Sequence, residues 1–171
     1  MWFTGLSGSG KTTICRNVRE TLLKRHVQVE LLDGDAVRQH LTKDLGFSRQ
    51  DRLSNIERVA FVADLLSKHG VITLASFITP YRELQEYARR HITSFREVYV
   101  QCPLKKCIER DVKGLYKKAL NGEIQRFTGI SDPYEPPLNP DLILRTDRES
   151  IAESAHKVVR YLEIHDFIPK G

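Results

Sequence analysis

The octapeptide GLSGSGKT, Gly5–Thr12, constrains this chain more than any other stretch. It satisfies G-x-x-x-x-G-K-[ST] in full. It follows the strand-like run MWFT and opens a run of helical period, the context in which that pattern works. Glycines let successive backbone N–H groups curl around an anion, and the start of a helix adds partial positive charge. Lys11 then reaches β- and γ-phosphates, and the Thr12 hydroxyl is placed to ligate Mg²⁺. A glycine-rich turn with a chance Lys-Thr would need neither flank. The pattern predicts a nucleotide-binding loop with Gly5, Ser7, Gly8, Ser9, Gly10, Lys11, Thr12 and Thr13 around the phosphates.

The rest of the chain has the rhythm such a loop requires. Short apolar runs at Met1–Thr4, Gln28–Leu32, Val71–Phe77, Glu97–Gln101 and Asp141–Leu144 predict five strands. Helical stretches lie between them near 11–24, 35–44, 49–68, 81–92 and 103–118, with a last one near 148–164. Leu53, Ile56, Ala60, Ala63 and Leu66 recur at spacings of three and four, which marks one buried face. Thr79-Pro80 fits a helix start, with Thr as cap and Pro in the first turn. Strands alternating with helices predict an α/β fold with a mostly parallel five-stranded sheet between helical layers. At 171 residues the chain is expected to form a single domain. The stretch Asn121 to Pro140 breaks the rhythm with two glycines and four prolines, and a loop that long is usually functional. A lid over the site, around 110–137, is the expectation.

The formal charge of +5 raises the question of nucleic acid, but basic and acidic residues are interspersed in most segments. A small polyanion suits that distribution better than a long duplex. No apolar run approaches the ~20 residues that span a bilayer, so no membrane is expected. Three cysteines cannot form a complete disulfide set, which favours a cytoplasmic, reducing compartment. Cys102 and Cys107 have the wrong spacing for a zinc site.

The loop identifies a nucleotide site but not a reaction. No D-x-x-G directly follows a later predicted strand and no N-K-x-D occurs downstream, as a GTPase would need, and VITLASF (71–77) ends without the carboxylate of a motor ATPase. Attention turns to LLDGDAVR (31–38), where Asp33 and Asp35 flank a glycine at the end of the second predicted strand. Ligands in such folds bind beyond the carboxyl ends of the strands, so this pair is expected beside the phosphate loop. Asp-Gly-Asp is also ordinary turn chemistry. Arg38, Phe47, Arg52, Asn55, Arg58, Thr79, Arg82 and Phe127 are candidates for a second, anionic and aromatic ligand. Arginine forks suit phosphate or sulfate, and loop phenylalanines suit a base. Taken singly, Phe47 also fits the core, Arg52 a solvated helix face and Thr79 a helix cap.

In combination, GLSGSGKTT, LLDGDAVR, GFSRQDRLSNIER, FITPYR, DVKGLYKKA and RFTGISDPYEPP resemble the adenylylsulfate (APS) kinases, in order and over nearly the whole chain. The resemblance implies a three-layer α/β/α P-loop NTPase fold with a helical lid, similar to nucleoside-monophosphate kinases. It implies ATP-dependent phosphorylation of the ribose 3′-hydroxyl of APS, with Mg²⁺, in a homodimer. Carried over to this chain, Lys11, Asp33, Asp35, Lys113 and Thr79 are the catalytic set, and Arg110 lies near the ATP base. Thr12 and, through water, Asp35 meet the metal, with Asp35 favoured for the acceptor hydroxyl. Arg38, Arg52 and Asn55 hold the phosphosulfate, Phe47 and Phe127 stack the adenine, and Asp33, Ile78, Thr79 and Lys113 complete the acceptor site. The family usually has serine where this chain has Thr79, traditionally labelled a phosphoenzyme intermediate. Threonine keeps the hydroxyl but is stiffer at χ1, and in-line transfer needs no such intermediate, so Thr79 is expected to contact substrate. The nearest alternative is another small-molecule P-loop kinase, of gluconate or shikimate type. A further one is a non-catalytic nucleotide- or nucleic-acid-binding module.

Overall fold

A computed structural model describes residues 1–171. In chain order the elements are β1 (Trp2–Thr4), α1 (Lys11–Lys24), β2 (Val29–Asp33), α2 (Gly34–His40), α3 (Arg49–Lys68) and β3 (Ile72–Ser76). They continue with α4 (Arg82–His91), β4 (Glu97–Gln101), α5 (Leu104–Arg110), α6 (Leu115–Leu120), β5 (Leu142–Arg145) and α7 (Ile151–Ile164). All strand pairs are parallel, in the order β2-β3-β1-β4-β5. The predicted strands differ from these by one residue at most at either end.

Alternation along the central strand builds both cores. Phe3 points into a cluster with Ile14, Val18 and Leu22 of α1 and Val158 and Leu162 of α7. Its neighbour Trp2 points to the opposite face, among Ile56, Val59 and Ala63 of α3 and Leu84 and Ala88 of α4. Three layers result, with the sheet buried on both sides. From β1 the chain crosses to the β2 edge, and from β3 it crosses to β4 on the other side of β1. The crevice between the ends of β1 and β3 is therefore the place for a ligand.

Helix starts differ in a way that matters for function. Ser48 with Asp51 and Ser150 with Glu153 form capping boxes on α3 and α7, and Asp33 caps α2. Helix α1 starts from Gly10 at φ 101 with no side-chain cap. Its first N–H groups remain for a ligand.

Three sequence expectations are corrected. The predicted helix over 103–118 is two helices, broken where Asp111 (φ 21) and Gly114 (φ 64) turn left-handed. The Asp111 carboxylate accepts from the N–H groups of Tyr116 and Lys117, at 2.9 and 3.0 Å, so a local side chain starts the second helix. Helix α2 stops at His40, because Thr42 turns to donate to Asn55 at 2.8 Å. Thr79 caps nothing: α4 begins two residues after Pro80, with Tyr81 at its N-cap, and Thr79 sits at φ 46. The segment 121–140 is also tied to the body. Tyr134 meets the Thr4 hydroxyl at 3.0 Å, and Glu135 N–H donates to the Pro80 carbonyl at 2.8 Å.

The first strand of the outer half carries a buried charge. Glu97 is 3% exposed, and its carboxylate accepts from Arg89 of α4 at 2.9 Å. Burial pushes the Glu97 carboxyl above its ordinary range despite that partner. Arg89→Ala strands the carboxylate, and the expected loss is about 3 kcal/mol in urea unfolding. The loss shrinks on acidification, because the folded variant can protonate Glu97 and so relieve the stranded charge.

Candidate active site

The phosphate loop rests on backbone contacts that admit no larger residue. A Cβ on Gly5 would lie 2.5 Å from the Val100 carbonyl oxygen of β4. The Lys11 ammonium is buried and donates to the carbonyls of Gly5 and Leu6 at 2.9 and 2.8 Å. Burial lowers its pKa to about 8. Ser7, Gly8, Gly10, Lys11, Thr12 and Thr13 line a cavity of about 600 Å³. Gly5, Ser9 and Arg110 do not line it. Ser9 is fully buried, and its carbonyl accepts from the Thr146 hydroxyl at 2.7 Å. Arg110 donates to the carbonyls of Gly8 at 3.3 Å and of Thr146, so its fork braces the loop from outside the cavity.

Asp33 is the last residue of β2 and stands in register with Ser76, the last of β3. Both meet the first turn of α1: the Thr12 hydroxyl donates to Asp33 Oδ2 at 2.8 Å and lies 3.1 Å from Ser76 Oγ. The other Asp33 oxygen accepts from the N–H groups of Asp35 and Ala36 at 3.1 and 3.4 Å. Its carboxylate is thus fixed at both ends. A Cβ on Gly34 would come within 3.2 Å of the Ser76 carbonyl oxygen, so the residue between the aspartates is small where β3 passes close. Of the two aspartates, Asp33 stands at the hydroxyl of Thr12. Asp35 lies in the first turn of α2 and pairs with Lys113 across the cleft.

The far wall is cationic and aromatic. The Arg38 guanidinium lies 4.3 Å over the Phe47 ring and donates to the Gly46 carbonyl at 3.0 Å. Phe47 is 57% exposed, so it belongs to the cavity rather than the core. Arg52 is 8% exposed and is not a solvated helix face. It donates to the carbonyls of Phe47 and Arg126 at 3.2 and 2.9 Å and faces Asp132 at 3.7 Å. Burial and the neighbouring Arg52 charge lower the Arg38 pKa, an arrangement that an anion between the two would relieve. Asn55 and Ile78 also line the cavity, and Phe127 reaches it edge-on to Tyr116 at 5.0 Å. Two candidates lie elsewhere: Arg58 pairs with Asp44 at 2.7 Å, and Arg82 donates to the Pro136 carbonyl at 3.0 Å. Thr79 lines the cavity, but its hydroxyl accepts from the indole of Trp2.

Sequence reasoning missed Ser76, Tyr116 and Thr146. Tyr116 is 1% exposed and donates its hydroxyl proton to the Ser7 carbonyl at 2.8 Å, which ties α6 to the phosphate loop. Ser76 carried one signal, its place at a strand end where a carboxylate was sought. Thr146 carried none.

The family model described as adenylylsulphate kinase matches residues 1–145. An adenylyl-sulfate kinase from Halothermothrix orenii is 60% identical over 168 residues, 98% of this chain and 91% of that protein. Among solved structures, the APS kinase of Mycobacterium tuberculosis in complex with AMPPNP and APS superposes with a TM-score of 0.91. It is 46% identical, and the match covers 95% of each chain. A hexameric APS kinase from Thiobacillus denitrificans is 32% identical with a TM-score of 0.72, over 98% of this chain and 29% of that one.

Thr146→Val keeps the shape of the side chain and leaves the Ser9 carbonyl without its donor. The expected result is about 1–2 kcal/mol lower stability and weaker nucleotide binding, read by thermal melts with and without nucleotide.

Proposed function

The chain belongs to the adenylylsulphate kinase family, and from that premise we infer how its cleft moves the γ-phosphoryl group of ATP to the ribose 3′-hydroxyl of APS. The products are 3′-phospho-APS and ADP. The observation that carries this reading is a single cavity with two anion-binding walls. An uncapped helix start and Lys11 form one wall, Arg38 and Arg52 the other, and Asp33 and Asp35 lie between.

ATP enters on the phosphate loop, and its phosphates draw Lys11 off the Gly5 and Leu6 carbonyls it now holds. The oxygens of Thr12, Asp33 and Ser76 suit Mg²⁺, a hard cation that takes few protein ligands when phosphates supply the rest. When bound there, Mg²⁺ neutralises charge on the β- and γ-phosphates. APS places its adenine between Phe47 and Phe127 and its phosphosulfate toward Arg38 and Arg52, with Asn55 beside them. Lys113 exchanges the Asp35 carboxylate for the transferring phosphoryl group. Asp35 is then free to accept the proton of the 3′-hydroxyl as its oxygen bonds to phosphorus and the β–γ bridge opens to ADP. Asp33 holds Thr12 and the start of α2 in place throughout. The left-handed residues Asp111 and Gly114 flank Val112 and Lys113, and we place the hinge of a mobile lid over 110–137 there.

We further propose a homodimer. Phe61 and Leu65, 71% and 48% exposed, stand one turn apart on the open face of α3. We assign the reaction to the cytoplasm: all three cysteines are free and buried, and no helix is long and apolar enough to cross a membrane.

Asp35→Asn and Asp33→Asn are each expected to lower kcat by at least ~100-fold. Steady-state formation of 3′-phospho-APS reads the loss, and near-normal turnover in both rejects the acidic pair. Phe61→Glu is expected to convert the dimer to monomer in sedimentation velocity.

A further inference from the structure

The turn Phe77–Pro80 joins the acceptor wall to the phosphate loop, and its backbone is strained at one point. Thr79 has φ 46, although it is β-branched and precedes proline, two features that oppose that conformation. Strain of this kind persists only where the surroundings over-determine it. Here they do. The carbonyl of Thr79 accepts from Gln85 Nε2 at 3.1 Å, and the same amide nitrogen donates to the Glu135 carbonyl at 2.9 Å. The Ile78 carbonyl accepts from the Thr4 hydroxyl at 2.7 Å and from the Gly5 N–H at 3.4 Å. The side chain is held from beneath: Trp2 Nε1 donates to Thr79 Oγ1 at 2.9 Å. Trp2 and Thr79 are 1% and 2% exposed, and the indole stacks on Phe77 at 5.5 Å.

The hydrogen bond found at this hydroxyl is one it accepts from a group that can only donate. No carboxylate, imidazole or amine stands at it to take its proton, which a phosphate-accepting nucleophile would need. We propose that Thr79 is a positioning residue whose hydroxyl, anchored by the Trp2 indole N–H, sets the acceptor wall at Ile78–Pro80 against the phosphate loop. Trp2 is its partner in that role. The proposal rests on the reading of APS as acceptor. It adds that Trp2, in the first strand and remote from the signature motifs of the acceptor site, governs how the acceptor sits.

Three variants test it. Thr79→Val removes the acceptor oxygen and keeps the branched shape. Trp2→Phe removes the donor and keeps a ring against Phe77. Thr79→Ser restores the oxygen. Thr79→Val and Trp2→Phe are each expected to raise KM for APS about tenfold, the scale of one lost hydrogen bond, with KM for ATP little changed. The double variant is no worse than either single one, and Thr79→Ser returns KM for APS to the wild-type range. A simple loss of folded protein would lower the apparent kcat and leave KM for APS alone. Trp2 is the sole tryptophan of the chain, so emission reads the bond without turnover. Thr79→Val is expected to shift the peak to shorter wavelength in the absence of substrate. Unchanged emission together with an unchanged KM for APS overturns the proposal. So does phosphate found on Thr79 by peptide mass spectrometry after incubation with ATP, if it passes to APS at the rate of turnover. Should the wild-type protein fail to phosphorylate APS, the functional reading fails, and the emission shift alone still decides whether the bond exists.

Discussion

The start of α1 is the constraint around which the molecule is arranged. Its first N–H groups have no side-chain cap, as at α4 and α5, but here the first turn, Lys11 to Thr13, lines the cavity, while α2, α3 and α7 are capped. An uncapped helix start at the end of a central, buried strand is stable only in a setting that supplies an anion or water. The neighbouring elements serve that setting. Thr146 and Arg110 hold the loop carbonyls of Ser9 and Gly8, Tyr116 holds that of Ser7, and the close approach of β4 requires glycine at position 5.

Parallel register then brings the chemistry to the same place. Because β2 and β3 pair Asp33 with Ser76, both strand ends deliver an oxygen to Thr12. One residue beyond Gly34 the chain has turned into a helix, and Asp35 points at Lys113 instead. Two like charges two residues apart thus serve separate neighbours. Their mutual repulsion is offset by a hydroxyl and two backbone N–H groups on one side and an ammonium on the other.

Much of this was legible in the sequence, for physical reasons. A phosphate loop demands strand, loop and helix in succession, and the short apolar runs and helix-period stretches on either side marked the remaining layers. The five strands, α1 and α3 were readable on that basis. The break between α5 and α6 was not, because Asp111 competes for backbone N–H groups through a side-chain geometry that periodicity does not encode. Thr79-Pro80 carried a helix-start signal that tertiary contacts overrode, since Trp2, Gln85 and Thr4 hold the turn in a left-handed form. Phe47 and Arg52 looked ambiguous singly. The structure sets Arg38 over the exposed ring and buries Arg52. The Arg110 side chain braces the loop and Ser9 is buried within it, and neither lines the cavity, a distinction that a motif of residue types does not draw.

The central claim is that one cavity holds ATP on the helix start and the acceptor ribose before Asp35. Its most direct measurement is single-turnover transfer from γ-labelled ATP in the presence of APS, with the position of the label determined on the isolated product. The expected result is label on the 3′-oxygen of APS in step with the release of ADP, and none in inorganic phosphate. Label in inorganic phosphate, or on any other position of the acceptor, would contradict it.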